Sequence, residues 1–190
     1  MDLTSKLPSN KQLLIAAAIA FFMLLTRGSH TLTPFNLPDA SLALFLLGGL
    51  YLCRLGWFAA FFVLATVIDF GAAAFDPAQG FCLTNGYWGL IPSYAAMWLG
   101  GLWLSKQKDA FAPVPYALVS MFTTLVAFVI STQTYFLFSG RFPNNGMLQT
   151  IQYGWNYLPS WMGFSAMYFA FVWLAVALLH SIKPAQTSQI

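Results

Sequence analysis

The chain has 190 residues, 59% hydrophobic and 18% aromatic, with eight Lys or Arg, five Asp and no Glu. Charged residues make up 7% of it, against about 25% in a soluble domain, which excludes a soluble enzyme and a disordered chain. A sequence pI of about 9.0 comes from scattered basic residues that form no patch, so nucleic-acid binding is unsupported. A bilayer span takes roughly 20 apolar residues, and six spans would use about 60% of the chain. The expected class is an all-α integral membrane protein, a single domain over residues 1–190 built as a bundle of six transmembrane helices.

The first apolar run, residues 12–26, follows Lys6 and Lys11. It has the basic start of a signal peptide, but Arg27-Gly28-Ser29-His30 offers no cleavage site, so a retained helix is expected. A second span covers residues 37–53, with Pro38 suited to a first turn. Arg54, Leu55 and Gly56 interrupt the apolar pattern before a third span over 55–75. The fourth covers 86–104, with Pro92 as a kink, the fifth 114–138, and the sixth 159–182.

Loop charges distinguish six spans from five. With six, Lys6, Lys11, Arg54, Lys106, Lys108 and Lys183 share one side, and Arg27 and Arg141 share the other. That asymmetry places both termini in the cytoplasm under the positive-inside rule. Fusing residues 40–68 into one helix would strand Arg54 in hydrocarbon. The inner side then carries +4 and the outer side −1, which accounts for the net +3 as a topology signal. The outer loops are longer and richer in Pro, polar and aromatic residues, and recognition is expected there. No internal repeat is visible.

No phosphate-binding Gly-rich loop occurs, so no nucleotide site is expected. Zinc-type His and Cys spacings are missing too. Cys53 falls at the inner end of span two and Cys82 in the outer loop after span three. About 30 Å of hydrocarbon separates those ends, beyond the reach of a disulfide. Cys53 reads as a small buried hydrophobe. Cys82 reads as a packed loop thiol, a redox thiol, a lipid-attachment site or a soft metal ligand.

Asp69, near the outer end of span three, faces a cavity or a partner, or else is an interfacial carboxylate that reaches the headgroups. Asp76-Pro77 starts a turn. His30 is a solvated loop residue or a ligand. Arg141 pairs with a ligand anion or with Asp69, or snorkels. Trp88, Trp98, Trp103, Trp155 and Trp161 read as aromatic belts, although Tyr87, Tyr153 and Tyr157 could face a flat ligand. Ala16 and Ala20 form a small-x-x-x-small pair, used either in ordinary packing or as a docking face.

Six short spans, an Ala-x-x-x-Ala first helix and an outward site resemble the S-components of energy-coupling-factor (ECF) transporters. More narrowly, Asn36-Leu37-Pro38-Asp39-Ala40-Ser41-Leu42-Ala43, then Ile68-Asp69-Phe70 and Phe81-Cys82-Leu83-Thr84, resemble the BtuM family of predicted vitamin B12 transporters. Tyr87, Ile91-Pro92 and Trp98 extend the similarity, which covers roughly residues 30–104. The resemblance implies cobalamin as substrate and Cys82 as the ligand of its cobalt. It also implies uptake across a bacterial inner membrane.

A thiolate is a soft ligand suited to a cobalt centre with an exchangeable axial position. Phe81, Asp69, Tyr87 and Asn85 would then lie near the corrin, with Arg141, Asn144, Asn145 and Gln149 as further polar groups for its amides. Displacement of an upper ligand such as cyanide would add ligand exchange to binding. An ECF module docked on Ala16 and Ala20 could drive transport, or the chain could work alone. Three alternatives stay open: an S-component for another vitamin, a membrane thiol enzyme using Cys82, and an assembly subunit without ligand.

Overall fold

The computed structural model describes residues 8–27, 37–142 and 146–182. His30, Asn36, Asn144 and Asn145 lie outside the described residues, as do Asp2, Lys6 and Lys183. The described chain is all-helical, with no strand among these residues. Seven α-helices follow in order: α1 Ser9–Arg27, α2 Ser41–Tyr51, α3 Leu55–Phe75, α4 Leu90–Ser105, α5 Pro113–Phe138, α6 Met147–Trp155 and α7 Leu158–Ile182. Two 3₁₀ turns, Pro77–Cys82 and Asn85–Gly89, join α3 to α4.

Four helices are long and apolar enough to cross a membrane: α1, α3, α5 and α7. Each turns large apolar side chains outward, such as Val63, Val67 and Phe70 on α3 and Phe171, Leu174 and Leu178 on α7. Such surfaces mark a membrane protein. The other two expected spans are shorter helices, α2 with 11 residues and α4 with 16. At 1.5 Å per residue, α2 is only about 16 Å long, half the hydrocarbon thickness.

Residues 40–68 do not form one helix. The chain breaks at Cys53, whose φ of +56° is the left-handed conformation that ends α2. Its amide donates to Gly48 O at 3.3 Å and its thiol to Gly49 O at 2.9 Å, closing the last turn. Arg54 then starts α3 from an extended conformation. Pro92 differs from expectation: it stands in the first turn of α4, where its missing N–H breaks no helical bond. The reason is that Asn85–Gly89 winds as 3₁₀ and delays the α-helix to Leu90. Residues 139–158, expected as a loop, contain α6. Gly146 N–H donates to Gln149 Oε1 at 3.2 Å, so the side chain of the third helical residue closes the start of α6.

The core centres on α2, which is buried along nearly its whole length and packs most closely against α4. Glycines set that closeness. A Cβ on Gly49 would overlap the carbonyl of Trp98, and one on Gly101 the carbonyl of Leu46. Between membrane helices, where lipid is as apolar as the helix surface, such close backbone approach is the main source of packing energy. Trp98, expected in an interfacial belt, is instead a core residue, edge-on to Phe45 and Phe58 with centroids 6.5 and 5.6 Å away. Tyr94 stacks on Phe45 at 4.2 Å.

Substituting Gly101 with Ala should destabilise the detergent-solubilised protein by roughly 1–3 kcal/mol, because two backbones must separate to admit one methyl group. At Gly71 a Cβ would meet nothing within 4 Å, so this position should accept Ala with unchanged or higher thermal stability. Equal melting temperatures for the two variants would refute the close-packed α2–α4 seam.

Candidate functional site

The turns between α3 and α4 are built from short-range capping. Asp76 accepts from Ala78 N–H at 3.0 Å, and Pro77 opens the first 3₁₀ turn. Thr84 does the same for the second, accepting from Gly86 N–H at 3.3 Å. Gly86 lets this turn lie directly on α5, since a Cβ there would come within 2.8 Å of Thr134 O and Tyr135 Cα. The result brings Phe81, Cys82 and Tyr87 to one side of α5.

A cavity of about 770 Å³ lies there. Phe81, Cys82 and Tyr87 form one wall; Ser131, Thr132, Tyr135 and Phe136 of α5 form another. Tyr153 of α6, then Asn156, Tyr157 and Trp161, complete it with Phe142. The volume falls within the range of small-molecule sites, and its mixture of many apolar surfaces with a few polar groups is typical of them. Asn85 and Asp69 are not part of this wall; Asn85 is exposed at the turn. More than half of the lining comes from residues beyond 130, among them Tyr153 and Tyr157, which the sequence offers as faces for a flat ligand.

Asp69 belongs to a separate polar cluster one layer inward. Arg27, the last residue of α1, grips it with two hydrogen bonds, Nε to Oδ1 and Nη2 to Oδ2, both 2.7 Å. The same guanidinium donates to Ser41 Oγ at 2.8 Å and to Tyr94 Oη at 2.5 Å, and meets Asp39 Oδ2 at 3.4 Å. Tyr87 Oη donates to Asp69 Oδ2 at 2.9 Å. The Arg27 side chain is 8% exposed and that of Asp69 20%. Tyr87 therefore faces both the cavity and the charge cluster. The partner of Asp69 is Arg27, which reads in the sequence only as a loop charge. Nothing in the local pattern signals a pair 42 residues apart.

Arg141, weighed as a partner for Asp69, lies instead over the Phe81 ring, 4.0 Å from its centroid. Cys53 and Cys82 form no disulfide, and Cys82 is exposed as a residue. Desolvation by the aromatic wall, with Asp69 second, pushes the Cys82 thiol above its ordinary value; the opposing pull of Arg141 and Arg27 is weaker. Ala16 is 3% exposed and packed in the core, and Ala20 is half-buried against it. That edge of α1 is occupied by this chain's own helices.

Two outcomes follow from the geometry. Replacing Arg27 with Ala takes the counter-ion from the half-buried Asp69, which keeps only its Tyr87 bond, and should cost about 2–4 kcal/mol; adding Asp69→Asn to it should recover part of the loss, measured by thermal unfolding in detergent. Cys82 should alkylate slowly at neutral pH, at a rate rising about tenfold per pH unit and still climbing above the free-cysteine value of about 8.5. The sign follows from the raised thiol, since only the thiolate reacts. A plateau below pH 8 would refute it.

No family model matches the chain, and no curated protein matches it.

Proposed function

We propose that this chain takes up cobalamin across a bacterial inner membrane, with Cys82 ligating the cobalt. The observation that carries the reading is a free thiol in the wall of a large aromatic cavity. Thiolate is a soft donor for a cobalt ion with an exchangeable position, and aromatic faces suit a flat macrocycle. In this reading the chain crosses the bilayer six times with both termini cytoplasmic, and the cavity opens to the periplasm. The short α2 and α4 then cross with help from the segments that flank them. Phe81 and Tyr87 border the corrin, and Asn85 and Arg141 stand at its rim. Asp69 acts through Tyr87, whose hydroxyl it orients.

Cyanide on the cobalt can be exchanged without any further reactant. The cobalt–sulfur bond forms as the cobalt–carbon bond breaks, cyanide leaves with the bonding pair, and the thiol proton leaves with it as hydrogen cyanide. Cobalt keeps its oxidation state. Because the thiol proton leaves bound to cyanide, no proton goes to solvent, and the exchange equilibrium should change little with pH while the thiol and hydrogen cyanide both stay protonated. A nucleophilic thiol enzyme would need Cys82 activated, whereas its surroundings push the thiol the other way. Coupling to an ECF module would have to use a face other than the buried Ala16, with Ala20 at its edge.

The test is the visible spectrum of detergent-purified protein loaded with cyanocobalamin, beside that of Cys82→Ala. A shifted corrin spectrum in the unaltered protein, lost in the variant, supports cobalt–thiolate ligation. A colourless protein overturns cobalamin as substrate and leaves another vitamin or a ligand-free subunit. Pigment with identical spectra keeps the substrate and removes Cys82 from its coordination.

A further inference from the structure

Three buried polar side-chain atoms among the described residues have no hydrogen-bond partner: Ser120 Oγ, Tyr135 Oη and Trp161 Nε1. Two of the three belong to residues that line the 770 Å³ cavity. Tyr135 comes from α5 and Trp161 from α7, and both rings have aromatic neighbours. Phe81 and Phe142 flank Tyr135 with centroids at 6.2 and 6.0 Å, and Phe128 meets Trp161 edge-on at 5.5 Å. Buried donors in folded proteins are nearly always satisfied, so each exception calls for a cause. An indole N–H can only donate, and a phenol hydroxyl donates most readily. Other polar side chains of the chain do find partners: Tyr94, Tyr87, Tyr168 and Trp173 are all hydrogen-bonded.

We infer that Tyr135 Oη and Trp161 Nε1 are donors held for the ligand, forming a subsite on the α5–α7 side of the cavity for carbonyl-type oxygens. The matching ligand class carries amide, carboxylate or phosphate acceptors on its rim, and a purely hydrocarbon ligand does not qualify. The inference deepens the cobalamin reading and rests on it for the identity of the ligand. Both atoms belong to cavity-lining residues and are buried in the unliganded fold, so side-chain rotation has to present them when an acceptor arrives. Leaving a donor unpaired in an apolar wall is unfavourable, and an acceptor from the ligand removes that penalty only in the bound state. The subsite therefore adds affinity selectively for acceptor-fringed molecules.

Tyr135→Phe and Trp161→Phe, each keeping an aromatic ring, test this with cyanocobalamin as probe. Each should weaken binding about five- to tenfold, the worth of one net hydrogen bond, while the Cys82-dependent spectral shift stays unchanged. Unliganded Tyr135→Phe should melt at the same temperature as the parent or higher, because the hydroxyl serves nothing in the free fold. Affinities within twofold of the parent overturn the inference. So does a drop of several degrees in the unliganded Tyr135→Phe protein, which means the hydroxyl already has a structural partner. Should the parent not bind cyanocobalamin, the cobalamin reading fails by itself, and the unliganded melting temperature still decides whether the Tyr135 hydroxyl is idle in the fold.

Discussion

The pairing of Arg27 with Asp69 is the constraint on which the arrangement of the helices turns. An arginine at the end of one apolar helix and an aspartate inside another are each expensive away from water. Bidentate contact satisfies both at once and fixes direction as well as distance. Because the same guanidinium reaches Ser41 and Tyr94, one side chain sets the positions of α1, α2, α3 and α4 together. A slip of α1 by one turn would move Arg27 about 5.4 Å and break every one of these bonds. The cluster acts as a register pin more than as a reservoir of stability, since desolvation offsets much of its attraction.

Glycine contacts and this pin work at opposite ends of the same helices. Gly49 and Gly101 bring the backbones of α2 and α4 together near one end, while Tyr94 ties α4 to Arg27 near the other. With α4 held at both ends, the turn that precedes it has little freedom, and Gly86 lies directly on Thr134 and Tyr135 of α5. Cys82 closes the preceding 3₁₀ turn and lines the cavity beside this one. Tyr87 then links the two layers, one face toward the cavity and its hydroxyl on Asp69. Occupation of the cavity and integrity of the charge cluster thus share a residue.

Hydrophobic spacing locates every long helix, because a run of apolar residues has few other uses. It also separates α2 from α3, where the interruption at Arg54 coincides with the left-handed Cys53. From its position Asp69 either faces a cavity or partner or reaches the headgroups; which of these holds, and that the partner is Arg27, depends on tertiary packing across 42 residues. Trp98 is misread as a belt residue because belt and core tryptophans have the same apolar neighbours in sequence. α6 escapes notice because its nine amphipathic residues make a short segment inside a Gly- and Asn-rich stretch that reads as a loop. The α5–α7 side of the cavity is hidden for a related reason: its polar atoms sit singly inside apolar runs, and only the fold gathers them.

The state of the thiol bears on what kind of chemistry the cavity suits. A cysteine meant to attack carbon or a disulfide gains from an ionised resting state, and sites of that kind surround the sulfur with positive charge. Here the aromatic wall and Asp69 prevail over Arg141 and Arg27, so the sulfur rests protonated. A metal ion reverses that balance on arrival, because its own charge deprotonates a coordinating thiol. Under the cobalamin proposal the arrangement is selective in a specific sense. Cys82 reacts slowly with ordinary electrophiles at neutral pH and becomes a strong ligand when a cationic metal centre is delivered to it. The same logic applies to Tyr135 and Trp161, whose donors are idle until a ligand brings acceptors. Both halves of the cavity are then built for a molecule that carries its own charge and its own polar fringe.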